Sequence, residues 1–79
     1  MRCSILIVAV VDNVVFLIDR DIGMSVTNDA ENVTKFIHKC LPNNRIVYRD
    51  TMGCWDELVH ENGVFKDFRS WGGEIPDFE

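Results

Sequence analysis

The chain has 79 residues, 47% of them hydrophobic and 27% charged, and its 8 Lys and Arg against 13 Asp and Glu leave a formal net charge of −5. That length allows one domain with one core, and the apolar content excludes a disordered chain. Lys and Arg form no cluster, so the electrostatic footprint of a duplex-binding protein is missing.

The apolar run Ser4–Val11 follows Arg2 and has the outline of a signal peptide, but it stops at Asp12-Asn13 and no small-x-small cleavage site follows. It is also far shorter than the roughly 18 apolar residues of a membrane span. Two strands, residues 4–11 and 14–20, explain the pattern: both are β-branched and apolar, and Asp12-Asn13 fits a two-residue hairpin turn. The unbroken apolarity of the first strand predicts burial on both faces and a central place in the sheet.

A helix is expected next. Asn28 suits its N-cap and Glu31 follows three residues later, as in a capping box. Ala30, Val33, Phe36, Ile37, Cys40 and Leu41 recur at helical spacing as one apolar stripe, and Pro42 stops the helix. Residues 45–51 and 54–61 read as strands around a Met52-Gly53 turn. Asn62-Gly63 then marks a hairpin into residues 64–69. An unbroken ladder there sets His60 opposite Phe65, Leu58 opposite Asp67 and Asp56 opposite Arg69.

The order β-β-α-β-β-β points to an α+β fold, an antiparallel sheet with the one amphipathic helix packed on one face. Residues 1–71 form this domain, and 72–79 read as a flexible acidic tail holding Glu74, Asp77 and Glu79. So small a core, with an apolar N-terminal hairpin at hand for edge pairing, predicts a homodimer.

Cys3, Cys40 and Cys54 are odd in number and widely spaced. That argues against a disulfide framework and a C-x-x-C zinc site, and points to free thiols in a reducing cytoplasm. No glycine-rich phosphate loop occurs. His38 and His60 lack a partner at a spacing that makes a nucleophile–base pair. Asp19, Asp21, Asp50, Asp56 and Glu57 sit near strand ends and turns, where carboxylates that converge hold Mg²⁺ for phosphodiester cleavage. Turns collect Asp for conformational reasons as well, and Arg20, Arg49 and Arg69 stand near enough in sequence to neutralise these acids.

The aromatics carry more. Tyr48, Trp55, Phe65, Phe68 and Trp71 fall close together, more than one helix and a small sheet can bury fully. Trp, Tyr and Arg are the types most enriched at binding hot spots. The residues expected to meet a partner are therefore Tyr48, Arg49, Asp50, Trp55, Asp56, Glu57, Lys66, Phe68, Arg69 and Trp71.

Tyr48-Arg49-Asp50-Thr51-Met52-Gly53-Cys54-Trp55-Asp56-Glu57-Leu58, with His60-Glu61-Asn62-Gly63, Phe65 and Phe68, resembles small accessory proteins of large tailed phages. Ser25-Val26-Thr27-Asn28-Asp29-Ala30-Glu31 adds to the resemblance, which covers about residues 24–69 and carries no functional motif. It implies a host-takeover or anti-defence role in which a host toxin, nuclease, polymerase or defence complex is bound and disabled. The leading expectation is a non-enzymatic binding protein with a host protein as partner, no cofactor and no membrane. The alternatives are a small Mg²⁺-dependent nuclease and a module that binds RNA on the aromatic face of the sheet.

Overall fold

The computed structural model describes residues 5–19, 26–50 and 52–78. Its elements are β1 (Ile5–Val11), β2 (Val14–Asp19), α1 (Val26–Cys40), β3 (Arg45–Arg49), β4 (Trp55–Glu61) and β5 (Val64–Ser70). The five strands form one sheet in the order β1-β2-β3-β4-β5. This is the expected α+β arrangement, and the sheet is mostly antiparallel. One pair differs: β2 and β3 run parallel, with Phe16 beside Val47. The cause is connectivity, because a helix between neighbouring strands returns the chain to the end where it started.

Both two-residue turns form. Asp12 and Asn13 take φ of 49° and 65°, and Asn62 and Gly63 take 51° and 83°. These are the left-handed values of a tight hairpin turn. Gly63 meets a second demand, since a Cβ there would lie 2.7 Å from Cδ2 of His38. The His38 and His60 rings meet edge-on at 5.3 Å, and the Gly63 N–H donates to Nδ1 of His60 at 3.2 Å. The helix is thereby pinned to the β4–β5 hairpin.

The core lies between helix and sheet: Ala30, Val33 and Ile37 pack on Val15, Leu17, Ile46, Tyr48 and Leu58, with Phe65 and Phe68 at its margin. β2, not β1, is the strand buried along its whole length. β1 is an edge strand, and Leu6, Ile7, Val10 and Val11 are exposed. An unbroken apolar run fits a central strand and an unguarded edge alike, so composition did not distinguish them.

The helix differs from expectation in two ways. It already includes Val26 and Thr27, so Asn28 lies inside it and is not its N-cap. Phe36 is 62% exposed and Cys40 is exposed, while Thr34 is buried in the core face. At about 100° per residue Phe36 sits roughly 120° around from the centre of the stripe set by Ala30, Thr34, Ile37 and Leu41.

The β4–β5 register departs from the unbroken ladder. His60 pairs with Phe65 as expected, but Leu58 pairs with Phe68, Val59 with Asp67, Glu57 with Arg69 and Asp56 with Ser70. A bulge at Val59/His60, with Lys66 as the extra residue on β5, shifts everything beyond it by one.

Candidate partner-binding site

β2 is apolar at every position but its last, so the face turned away from the helix needs its own cover. Val14, Phe16 and Val47 form a second buried cluster there, packed by Val8, Ala9, Trp55 and Trp71. Phe16 is its centre. Trp55 meets its ring edge-on at 6.1 Å and Trp71 at 5.9 Å. The Trp71 N–H donates to the carbonyl of Trp55 at 3.1 Å, which holds the end of β5 against the start of β4.

Alternation along β3 puts Arg45, Val47 and Arg49 on this face and Ile46 and Tyr48 under the helix. The Arg45 guanidinium lies 5.1 Å from the Trp71 ring, and that of Arg49 lies 5.6 Å from the Trp55 ring. Arg49 and Trp55 are direct cross-strand partners, so the stack follows from register. Arg45 also grips Glu57 with both ends of its fork, Nε to Oε2 at 2.9 Å and Nη2 to Oε1 at 2.7 Å. These bonds from Arg45 hold the Glu57 carboxyl below its ordinary value against burial, and the positive charges of Arg45 and Arg69 act in the same direction. The same pair holds the Arg45 guanidinium above its ordinary value.

Residues 74–78 lie back over this face as irregular chain. Nε1 of Trp71 donates to the carbonyl of Glu74 at 3.1 Å. Phe78 meets Trp55 edge-on at 6.0 Å and lies 5.7 Å from the Arg49 guanidinium. Arg49, Trp55, Ile75, Pro76, Asp77 and Phe78 line a shallow cleft of about 250 Å³.

The residues singled out from the sequence are divided between the two faces. Arg49, Trp55, Glu57, Arg69 and Trp71 share the open face. Tyr48 is 1% exposed and lies under the helix, where its hydroxyl donates to Oδ2 of Asp19 at 2.5 Å. Phe68 is also on the helix side, 4.9 Å from Phe65, and Asp56 shares that side as the partner of Tyr48. Asp50 shapes its turn, its Oδ1 accepting from the N–H groups of Met52 at 2.8 Å and Cys54 at 3.0 Å. Lys66 is exposed at the bulge. The open face adds Phe16, Arg45 and Phe78, which sequence reasoning passed over. A signal existed for Phe16, because a strand apolar on both sides needs a second covering layer.

Among the described residues the candidate carboxylates do not gather. Asp19 is bonded beneath the helix, Glu57 is tied to Arg45 on the opposite face, Asp50 is held in its turn, and Asp21 lies outside the described residues. Among the described residues no group of three or more His, Cys, Asp and Glu side chains is placed to hold a metal ion. Among them, too, no helix is long and apolar enough to cross a membrane. No family model, curated protein or solved structure matches the chain.

Proposed function

We propose that this is a non-enzymatic binding protein of phage origin that inhibits a host toxin, nuclease or defence factor by docking its open sheet face on it. The observation that carries the reading is the gathering of Phe16, Arg45, Arg49, Trp55 and Trp71 on one side of the sheet. Aromatic rings with stacked guanidiniums are the side chains that dominate measured interfaces. The inhibitory role and the phage origin rest on the resemblance of residues 24–69 to phage accessory proteins. Cys40 and Cys54 are exposed free thiols, which suits work in the host cytoplasm.

The test is capture of a partner from host lysate with the wild-type chain, then measurement of its affinity for Trp55→Ala and Trp71→Ala. A hot-spot tryptophan contributes about 2 kcal/mol or more, so each change is expected to weaken binding about 30-fold. Unchanged affinity for both variants would retire the reading. The stacked Arg and Trp side chains also favour a second reading, a platform for single-stranded RNA. That reading requires oligonucleotide binding that falls steeply with salt. The protein-partner reading expects no such binding at low salt.

The proposal includes a homodimer joined through β1. Ile5–Val11 holds no charged residue, so pairing with its own copy brings no like charges together. The other edge, β5, carries Lys66, Asp67 and Arg69, side chains that guard an edge. A dimer mass in light scattering is expected for the wild type and a monomer mass for Val10→Lys, whose site is 53% exposed. A monomeric wild type would refute the pairing.

A further inference from the structure

We propose that Glu74–Phe78 is an internal ligand of the open face, and that the partner presents an extended peptide of the same chemistry, an aromatic side chain beside a carboxylate, which displaces it. The inference deepens the binding reading above and rests on it.

The segment sits as a peptide ligand would. Phe78, Trp55 and the Arg49 guanidinium form a triangle, with the guanidinium 5.6 Å from Trp55 and 5.7 Å from Phe78 and the two rings edge-on at 6.0 Å. Asp77 and Pro76 line the same cleft, so an acidic residue adjoins Phe78 in sequence on the arginine-bearing face. A peptide with that pairing offers Arg49 both a π-face and an opposite charge.

The attachment is also weak enough to exchange. Among the described residues, no hydrogen bond or ion pair involves Ile75–Phe78, and Phe78 is held by its ring contacts. Ile75 is exposed. The segment's path depends on Gly73, where the backbone passes close over the indole of Trp71. A Cβ there would lie 2.6 Å from Cζ2 and 2.9 Å from Cε2 of that ring. The ring has little room to yield, since it is packed on Phe16 and lies beside Arg45.

Tethering sets the scale. A short flexible link holds a ligand at an effective concentration of about 1 mM. A peptide whose free Kd is about 0.1 mM is then bound internally about ten times as often as not, and an outside competitor is weakened about tenfold.

The experiment uses the full chain and a synthetic peptide of residues 73–78, Gly-Glu-Ile-Pro-Asp-Phe, with binding read from the fluorescence of Trp55 and Trp71. Phe78→Ala is expected to bind the peptide about tenfold more tightly than wild type, and Gly73→Ala to do the same with Arg49, Trp55 and Phe78 all retained. Adding Arg49→Ala to Phe78→Ala should abolish the gain, as should replacing the peptide's Phe by Ala. Equal binding by wild type and Phe78→Ala, or binding by neither, would overturn the inference. So would a released face that binds an RNA oligonucleotide and not the peptide. If partner capture still depends on Trp55 while the peptide fails, the internal-ligand inference falls and the binding reading stands. If the peptide binds but Trp55→Ala and Trp71→Ala capture partner normally, the binding reading falls and takes the partner's peptide with it, and Glu74–Phe78 stands as an internal ligand alone.

Discussion

The two faces of one sheet are built from different chemistry. Under the helix, Val15, Leu17, Ile46 and Leu58 meet Ala30, Val33 and Ile37 in an aliphatic core. On the other side, Phe16, Trp55 and Trp71 are joined by Arg45 and Arg49 and topped by residues 74–78. The first face is closed by an element with fifteen residues of hydrogen-bonded backbone. The second is closed by irregular chain resting on ring contacts. A covering held that lightly suits the exchange for a partner proposed above, whereas removal of the helix would expose the aliphatic core.

The comparison can be broken first in the core. Leu58→Ala is expected to cost about 2–5 kcal/mol, most of the stability of a domain this small, measured by urea unfolding. Tyr48→Phe should cost less, about 1–3 kcal/mol, because it removes the hydroxyl that donates to buried Asp19. On the open face the order inverts. Phe78→Ala should leave the unfolding midpoint close to that of wild type while changing peptide binding, since the ring contacts of Phe78 are with Trp55 and Arg49, outside both buried clusters.

The smallest effect belongs to the Arg45–Glu57 pair. The Arg45 side chain is 56% exposed, so solvent screening limits the pair to below about 1 kcal/mol. Glu57 is held below its ordinary value, so the pair stabilises fully above the unfolded carboxylate value of about 4.3 and fades as pH falls through the lowered one. The stability difference between wild type and Glu57→Gln is expected at neutral pH and should vanish in acid. A difference that persists unchanged in strong acid would separate Glu57's role from its charge.

The helix face was the more legible of the two. Helical spacing marked Ala30, Val33 and Ile37, and the Asp12-Asn13 and Asn62-Gly63 turns marked both hairpins. Phe36 was misplaced because its spacing from Val33 fits a stripe that Thr34, a polar residue, in fact continues. The bulge left no trace in composition, since one extra residue on β5 changes the pairing and not the pattern before it. The open face was half legible. Trp55, Trp71 and Arg49 stood out by type, but Phe16 and Phe78 join them only through the sheet's order and the return of the chain over it. Tyr48 shows the opposite limit, because a hot-spot residue type next to Arg49 falls on the other side of the strand by alternation alone.

The central claim is that the open face, and not the outer side of the helix, meets the partner. Phe36 supplies the control, an exposed aromatic on the opposite side of the molecule. The deciding measurement is the affinity of the captured partner for Trp55→Ala against Phe36→Ala, with both variants shown to be folded. A loss of about 30-fold for Trp55→Ala and none for Phe36→Ala is expected. Loss on Phe36→Ala with Trp55→Ala unchanged would contradict the account.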